Sequence, residues 1–135
     1  MERDARFQTE ELRFVSEGIE CAATLYRPDE TDTDVPCIVL APSVNLTRRD
    51  GYPRFAQRFA AEGYAALVFD YRYIGDSAGT PRQLVDYQQQ RQDLRAAVAF
   101  ARSLDGIDPT QIVLWGFSFG GDPVVNVAAD DQQIA

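Results

Sequence analysis

The 135 residues include no histidine and no lysine, and only two cysteines, one methionine and one tryptophan. Without histidine the chain lacks the commonest general base and metal ligand, and two cysteines leave little for a zinc site. Cys21 and Cys37 have no metal-ligand spacing and lie in apolar runs, which predicts buried free thiols rather than a disulfide. No apolar stretch approaches the ~18 residues of a membrane span. Met1 to Glu11 is charged and lacks the apolar core of a secretory signal, so a cytoplasmic protein is expected. All 13 basic residues are arginine against 21 acids, giving a net charge of -8. That balance, with no basic patch, argues against nucleic acid or an anionic membrane as a partner. Fourteen of the acids are aspartate. Excess aspartate without lysine suits a protein working in concentrated salt, and a GC-rich genome would produce the same replacement of lysine by arginine.

What is present is a globular composition: 45% hydrophobic and 11% aromatic residues, with no repeat or low-complexity tract. The length predicts one domain. Phe7–Val15 and Ile19–Tyr26 flank the turn signal Ser16-Glu17-Gly18, which predicts an antiparallel hairpin. Three continuous apolar runs follow, at Pro36–Ala41, Ala65–Phe69 and Ile112–Trp115, of the kind buried on both faces of a parallel sheet. Between the first two, Tyr52, Phe55, Ala56, Phe59 and Ala60 recur at helical spacing, with Pro53 in the first turn, Asp50 as candidate cap and Gly63 at the stop. Between the second and third, Asp86–Leu104 repeats the pattern through Leu94, Ala97, Val98, Ala101 and Leu104, and Asp105–Pro109 reads as the loop that ends it. The fold class expected is α/β: an N-terminal antiparallel hairpin, then parallel strands with helices on both faces.

The pattern Gly-x-Ser-x-Gly occurs twice, at Gly75-Asp76-Ser77-Ala78-Gly79 and Gly116-Phe117-Ser118-Phe119-Gly120. A serine nucleophile needs a strand running into the first glycine and a helix leaving after the second, a turn that lifts the hydroxyl above the sheet edge. Ser118 has both: Ile112–Trp115 precedes it, and Asp122–Asp130 carries Pro123 in the first turn and Val124, Val125, Val127 and Ala128 as an apolar face. Ser77 follows its strand at a distance and is itself followed by Thr80-Pro81, so it reads as part of a loop.

The segments Ile38–Ala41, Tyr52–Ala56, Glu62–Ala65, Val68–Arg72, Gly75–Ser77 with Gly79, and Leu114–Gly121 together resemble the α/β-hydrolase superfamily, in its esterase, acyl-thioesterase and serine-aminopeptidase-like branch. The likeness runs from Gly18 onward and corresponds to the N-terminal portion of such proteins, so 1–135 is expected to be the N-terminal part of one such domain. The resemblance implies that Ser118 attacks the acyl carbonyl of an ester, thioester or amide, with the backbone N–H of Phe119 as one oxyanion donor. It implies a second donor after the third strand, where Pro42-Ser43 stands in place of the family's usual His-Gly and the Val44 N–H becomes the candidate. The resemblance gives Asp70, Arg72 and Asp76 a structural role. In the family the triad acid and histidine follow the nucleophile; Asp122, Asp130 and Asp131 are not placed as that acid. A truncated hydrolase is therefore expected, inactive alone, whose strand ending at Trp115 forms an apolar edge open to association or to a complementary polypeptide. The substrate expected is a small acyl compound. The other functional class is a degenerate, non-catalytic module that binds or assembles through that edge, and a nonfunctional remnant is the third possibility. No nucleotide, flavin or metal motif appears, so no cofactor is expected.

Overall fold

The computed structural model describes residues 7–29, 31–117 and 121–135. The chain order is β1 (Phe7–Ser16), β2 (Ile19–Pro28), β3 (Val35–Ala41), α1 (Tyr52–Ala61), β4 (Ala65–Phe69), α2 (Tyr87–Ser103), β5 (Ile107–Gly116) and α3 (Gly121–Asp130). They build one five-stranded sheet ordered β1-β2-β4-β3-β5. β1 pairs antiparallel with β2 across Glu17-Gly18, both at positive φ (48° and 81°). Positive φ at both central residues is what a two-residue hairpin needs to match strand twist. β2 runs antiparallel to β4, and β4, β3 and β5 are parallel.

The apolar runs form the sheet's centre because each presents side chains to two covered faces. All five residues of β4 are buried. On one face Tyr26, Ile38, Leu40, Ala66 and Val68 pack against Tyr52, Ala56 and Ala60 of α1. On the other, Leu25, Val39, Leu67 and Phe69 pack against Leu94, Ala97, Val98 and Ala101 of α2 and Val127 of α3. Leu25, Leu67 and Leu94 are fully buried, each worth about 1.5–3 kcal/mol of transfer free energy. Cys21 and Cys37 are free and buried, as the sequence predicts, and burial pushes both thiols up to about 12.

The structure corrects four local expectations. Asp50 does not cap α1; Gly51 occupies that position at φ 87° with no side-chain cap. The Asp50 carboxylate instead accepts from the Thr47 N–H at 2.8 Å and the Thr47 hydroxyl at 3.0 Å, closing the loop before the helix. Asp105–Pro109 is not all loop, because β5 begins at Ile107, which is buried and pairs with Val35 ahead of a bulge. Pro109 is tolerated there since β5 is an edge strand that can spare an N–H. Phe55 and Val125, assigned to apolar helix faces, are 46% and 67% exposed. Finally, the β5 edge is partly occupied: Ile134 bridges Ile112 in parallel, and the Ala135 N–H donates to the Ile112 carbonyl at 2.8 Å. Among the described residues no helix is long and apolar enough to cross a membrane.

Candidate active site

β5 ends at Gly116 and α3 begins at Gly121, so a strand precedes and a helix follows the second serine motif. Ser118 and Phe119, the nucleophile and first oxyanion donor expected from the sequence, lie outside the described residues, as does Gly120. What the structure describes is the frame on either side of them, and the loop that carries Val44.

That loop, between β3 and α1, has little regular structure, yet four elements hold it. The buried Tyr71 hydroxyl, beyond β4, donates to the Pro42 carbonyl at 2.8 Å. The Ser43 N–H donates to the Tyr52 hydroxyl oxygen of α1 at 2.8 Å. Gln90 Nε2, from α2, donates to the Val44 carbonyl at 2.7 Å. Ser43 Oγ donates to the Phe117 carbonyl at 3.1 Å, joining the loop to the end of β5. Within the loop the Leu46 N–H donates to the Ser43 carbonyl at 3.0 Å. The Val44 N–H has no hydrogen-bond partner among the described residues.

The loop's far end is held by charge. Arg48, its side chain 3% exposed, donates from its backbone N–H to Asp70 Oδ1 at 2.6 Å and from its guanidinium to Asp70 Oδ2. The same guanidinium reaches Asp76 at 3.1 Å, Glu11 at 2.8 Å and Thr24 at 3.0 Å. Arg49 also pairs with Asp76, and the two arginines hold the Asp76 carboxyl below its ordinary range. Gly75 must be glycine here: it sits at φ +60°, and a Cβ would stand 2.4 Å from Asp70 Oδ2. Arg72 is likewise paired internally, with buried Asp93 at 2.9 Å. Asp70, Arg72 and Asp76 are thus structural, as expected. Ser77 is too: 3% exposed, it donates to the Asp70 carbonyl at 2.7 Å and accepts from the Ala22 N–H at 2.9 Å.

Two clefts flank the loop. One, of about 600 Å³, is lined by Leu46, Tyr52, Phe55, Trp115 and Phe117, with Ser43 at its rim. The Phe55 and Trp115 rings lie 5.0 Å apart, and Phe117 is 58% exposed. The other, of about 580 Å³, is polar, lined by Asn45, Thr47, Tyr73, Arg82 and Gln83. Both volumes fall in the range of small-molecule sites. Among the described residues no group of three or more His, Cys, Asp or Glu could hold a metal ion.

Sequence reasoning missed Arg48, Tyr52, Tyr71 and Gln90 as the loop's supports, and Asp93 as the partner of Arg72. Gln90 and Asp93 carried a signal: they sit at helical spacing from Leu94 and Ala97 on the buried face of α2, where a polar side chain needs a partner.

Residues 17–134 match the family described as X-Pro dipeptidyl-peptidase (S15 family). Over 125 residues the chain is 53% identical to the quorum-quenching protein AidA of Acinetobacter baumannii (strain MDR-ZJ06), covering 93% of this chain and 41% of that protein. It is 34% identical over 125 residues to the thiohydrolase aneE of Aspergillus aculeatus, covering 92% of this chain and 38% of that one. The crystal structure of the α/β hydrolase GrgF from Penicillium sp. sh18 superposes with a TM-score of 0.87 at 29% identity, covering 95% of this chain and 44% of GrgF. The chain thus spans roughly two fifths of the length of these relatives.

Proposed function

We propose, from the premise that this chain belongs to the X-Pro dipeptidyl-peptidase (S15) family of α/β hydrolases, that it carries the nucleophile half of a serine acyl-hydrolase site. Ser118 Oγ attacks the carbonyl carbon of an ester, thioester or amide. Its proton passes to a base and then to the leaving group, and water resolves the acyl-Ser118 intermediate. The Phe119 and Val44 N–H groups hold the oxyanion, and α3 adds the positive end of its dipole. The apolar cleft of Leu46, Phe55, Trp115 and Phe117 receives the acyl group. A relative named as a thiohydrolase supports including thioesters.

The histidine base must come from outside these 135 residues, since the sequence has none, and so must the triad acid, which follows the nucleophile in this fold at a position that Asp122, Asp130 and Asp131, on or just beyond the next helix, do not match. They come from the part of the family's length that the chain does not span, or from a complementary polypeptide. A second copy of this chain brings no histidine either. Alone, the chain is left with its oxyanion donors and substrate binding, worth ~10³–10⁴ over water in well-studied triads, and is inactive on an enzymatic scale.

The observation that carries this reading is the bond from Ser43 Oγ to the Phe117 carbonyl, which keeps the loop bearing Val44 beside the residue that precedes Ser118. The test is Ser118→Ala in the native polypeptide that contains this sequence. Hydrolysis of p-nitrophenyl acyl esters and fluorophosphonate labelling should both disappear with the fold intact; retained turnover refutes the assignment.

A second reading rests on the β5 edge, whose only described partner on its outer side is the C-terminal segment at Ile112. In that reading the chain is a non-catalytic module that assembles through this edge. A stable complex of the 135-residue chain with a defined partner, without labelling of Ser118, would favour it.

A further inference from the structure

The Val44 carbonyl is held by a side chain that acyl transfer itself does not use. Gln90 lies in the first turn of α2 and is 2% exposed. Its Nε2 donates to the Val44 carbonyl at 2.7 Å, while its buried Oε1 has no hydrogen-bond partner among the described residues. A buried, unmet acceptor lowers stability relative to an apolar side chain of the same shape. Natural proteins keep such groups where they serve something other than stability.

The backbone shows what that is. A peptide unit is planar and trans, so holding its carbonyl aims its N–H the opposite way. The Ser43 carbonyl accepts from the Leu46 N–H, and the Val44 carbonyl accepts from Gln90. Both peptide planes that meet at Val44 are therefore held from their carbonyl sides. The N–H groups of Val44 and Asn45 have no partner among the described residues.

We propose that Gln90 is a positioning residue for the oxyanion site: its carboxamide fixes the Val44–Asn45 peptide through the Val44 carbonyl and, across the shared Val44 Cα, steadies the adjoining Ser43–Val44 peptide, whose carbonyl is held by the Leu46 N–H and whose own N–H, that of Val44, faces the oxygen on which charge develops. This rests on the acyl-transfer reading for its catalytic consequence, but not for its structural part. Gln90 never touches substrate. It acts through the loop, where a misplacement of about 1 Å can cost on the order of 100-fold in rate.

The test uses two variants. Gln90→Met keeps the length and removes both the donor and the unmet acceptor. In the native polypeptide it should leave the melting temperature unchanged or raised, lower kcat by roughly 10- to 100-fold and leave KM nearly constant. In the 135-residue chain, amide hydrogen exchange should quicken at Ser43 and Leu46, the two amides of the 43–46 segment that are hydrogen-bonded, and not elsewhere. Gln90→Glu can donate an O–H to the Val44 carbonyl only when protonated. Its exchange protection at Ser43 and Leu46, and its kcat relative to wild type at the same pH, should recover on acidification, whereas Gln90→Met stays low throughout. Unchanged exchange at Ser43 and Leu46 in Gln90→Met overturns the positioning role, as does a melting temperature that falls in step with kcat, the mark of a merely structural residue. A wild-type polypeptide with no turnover and no labelling of Ser118 overturns the acyl-transfer reading instead, whatever the exchange data say of Gln90.

Discussion

The pair Arg48–Asp70 allows a stability prediction with a worked size. Both side chains are nearly inaccessible, 3% and 1% exposed, and Asp70 also accepts from the Arg48 N–H at 2.6 Å and the Asp76 N–H at 2.9 Å. Asp70→Asn removes the charge without changing the volume, and its amide hydrogens face donors. Removing one partner of a buried ion pair costs about 3–5 kcal/mol, because the other charge stays buried and unpaired. Arg48 keeps Glu11 and Asp76, whose side chains are 60% and 48% exposed. They soften the loss, so the low end, about 3 kcal/mol, is expected. With a urea m-value of about 2 kcal/mol/M, the unfolding midpoint should fall by about 1.5 M at unchanged slope. The single tryptophan, Trp115, packs against Phe55 and reports the transition by its fluorescence. Asp76→Asn is the control: its carboxylate is half exposed, and a loss of no more than about 1 kcal/mol is expected. If the two variants shift the midpoint equally, or Asp70→Asn shifts it by less than about 0.5 M, the buried pair does not anchor the loop as argued. Arg48→Met combined with Asp70→Leu should recover most of the lost stability, since no lone charge then remains.

Other consequences are as direct. Ser77→Ala leaves the Asp70 carbonyl and the Ala22 N–H without their buried partner; at ~1–3 kcal/mol for such a group, the melting temperature should drop by several degrees while fluorophosphonate labelling of the native polypeptide is retained, and a loss of labelling would mean that the wrong serine has been assigned. Cys21 and Cys37 should resist Ellman's reagent at pH 8 in the folded chain and both react in denaturant, because burial raises each thiol to about 12; fast reaction of either in the native state contradicts the core packing. Asp76 and Asp131 are held below their ordinary 3.8 by Arg49 with Arg48 and by Arg102 respectively. Lowered acids stabilise the fold above the unfolded value and lose that contribution as pH falls through the folded one. Urea midpoints should therefore decline below about pH 4, less steeply in Asp76→Asn, and an identical slope in that variant would remove Asp76 from the account.

Much of the architecture was legible in particular residues. Ala65–Phe69 is apolar at every position and became a strand buried on both faces, because nothing else in the fold accommodates such a run. Asp86–Leu104 reads as one helical stretch, and the structure has α2 there with Asp86 as its cap, accepting from the Gln89 N–H at 3.0 Å. Asp50, the expected cap of α1, caps nothing, because Thr47, three residues away, offered two closer donors. The insertion of β4 between β2 and β3 was not legible, since pairing among distant strands depends on non-local packing that no periodicity encodes.

By itself the sequence determined the class of the fold, the serine motif that stands between a strand and a helix, and the chemical gap left by the absence of histidine. These follow from composition and short-range spacing, which do not depend on how distant segments meet. Only the tertiary structure decided that Asp70 meets Arg48, that Ser43 reaches Phe117, and that Gln90 uses its one buried donor on the Val44 carbonyl. A buried polar group is tolerated only beside its complement, and here that complement lies 22 to 74 residues away along the chain, at a distance that folding alone can close.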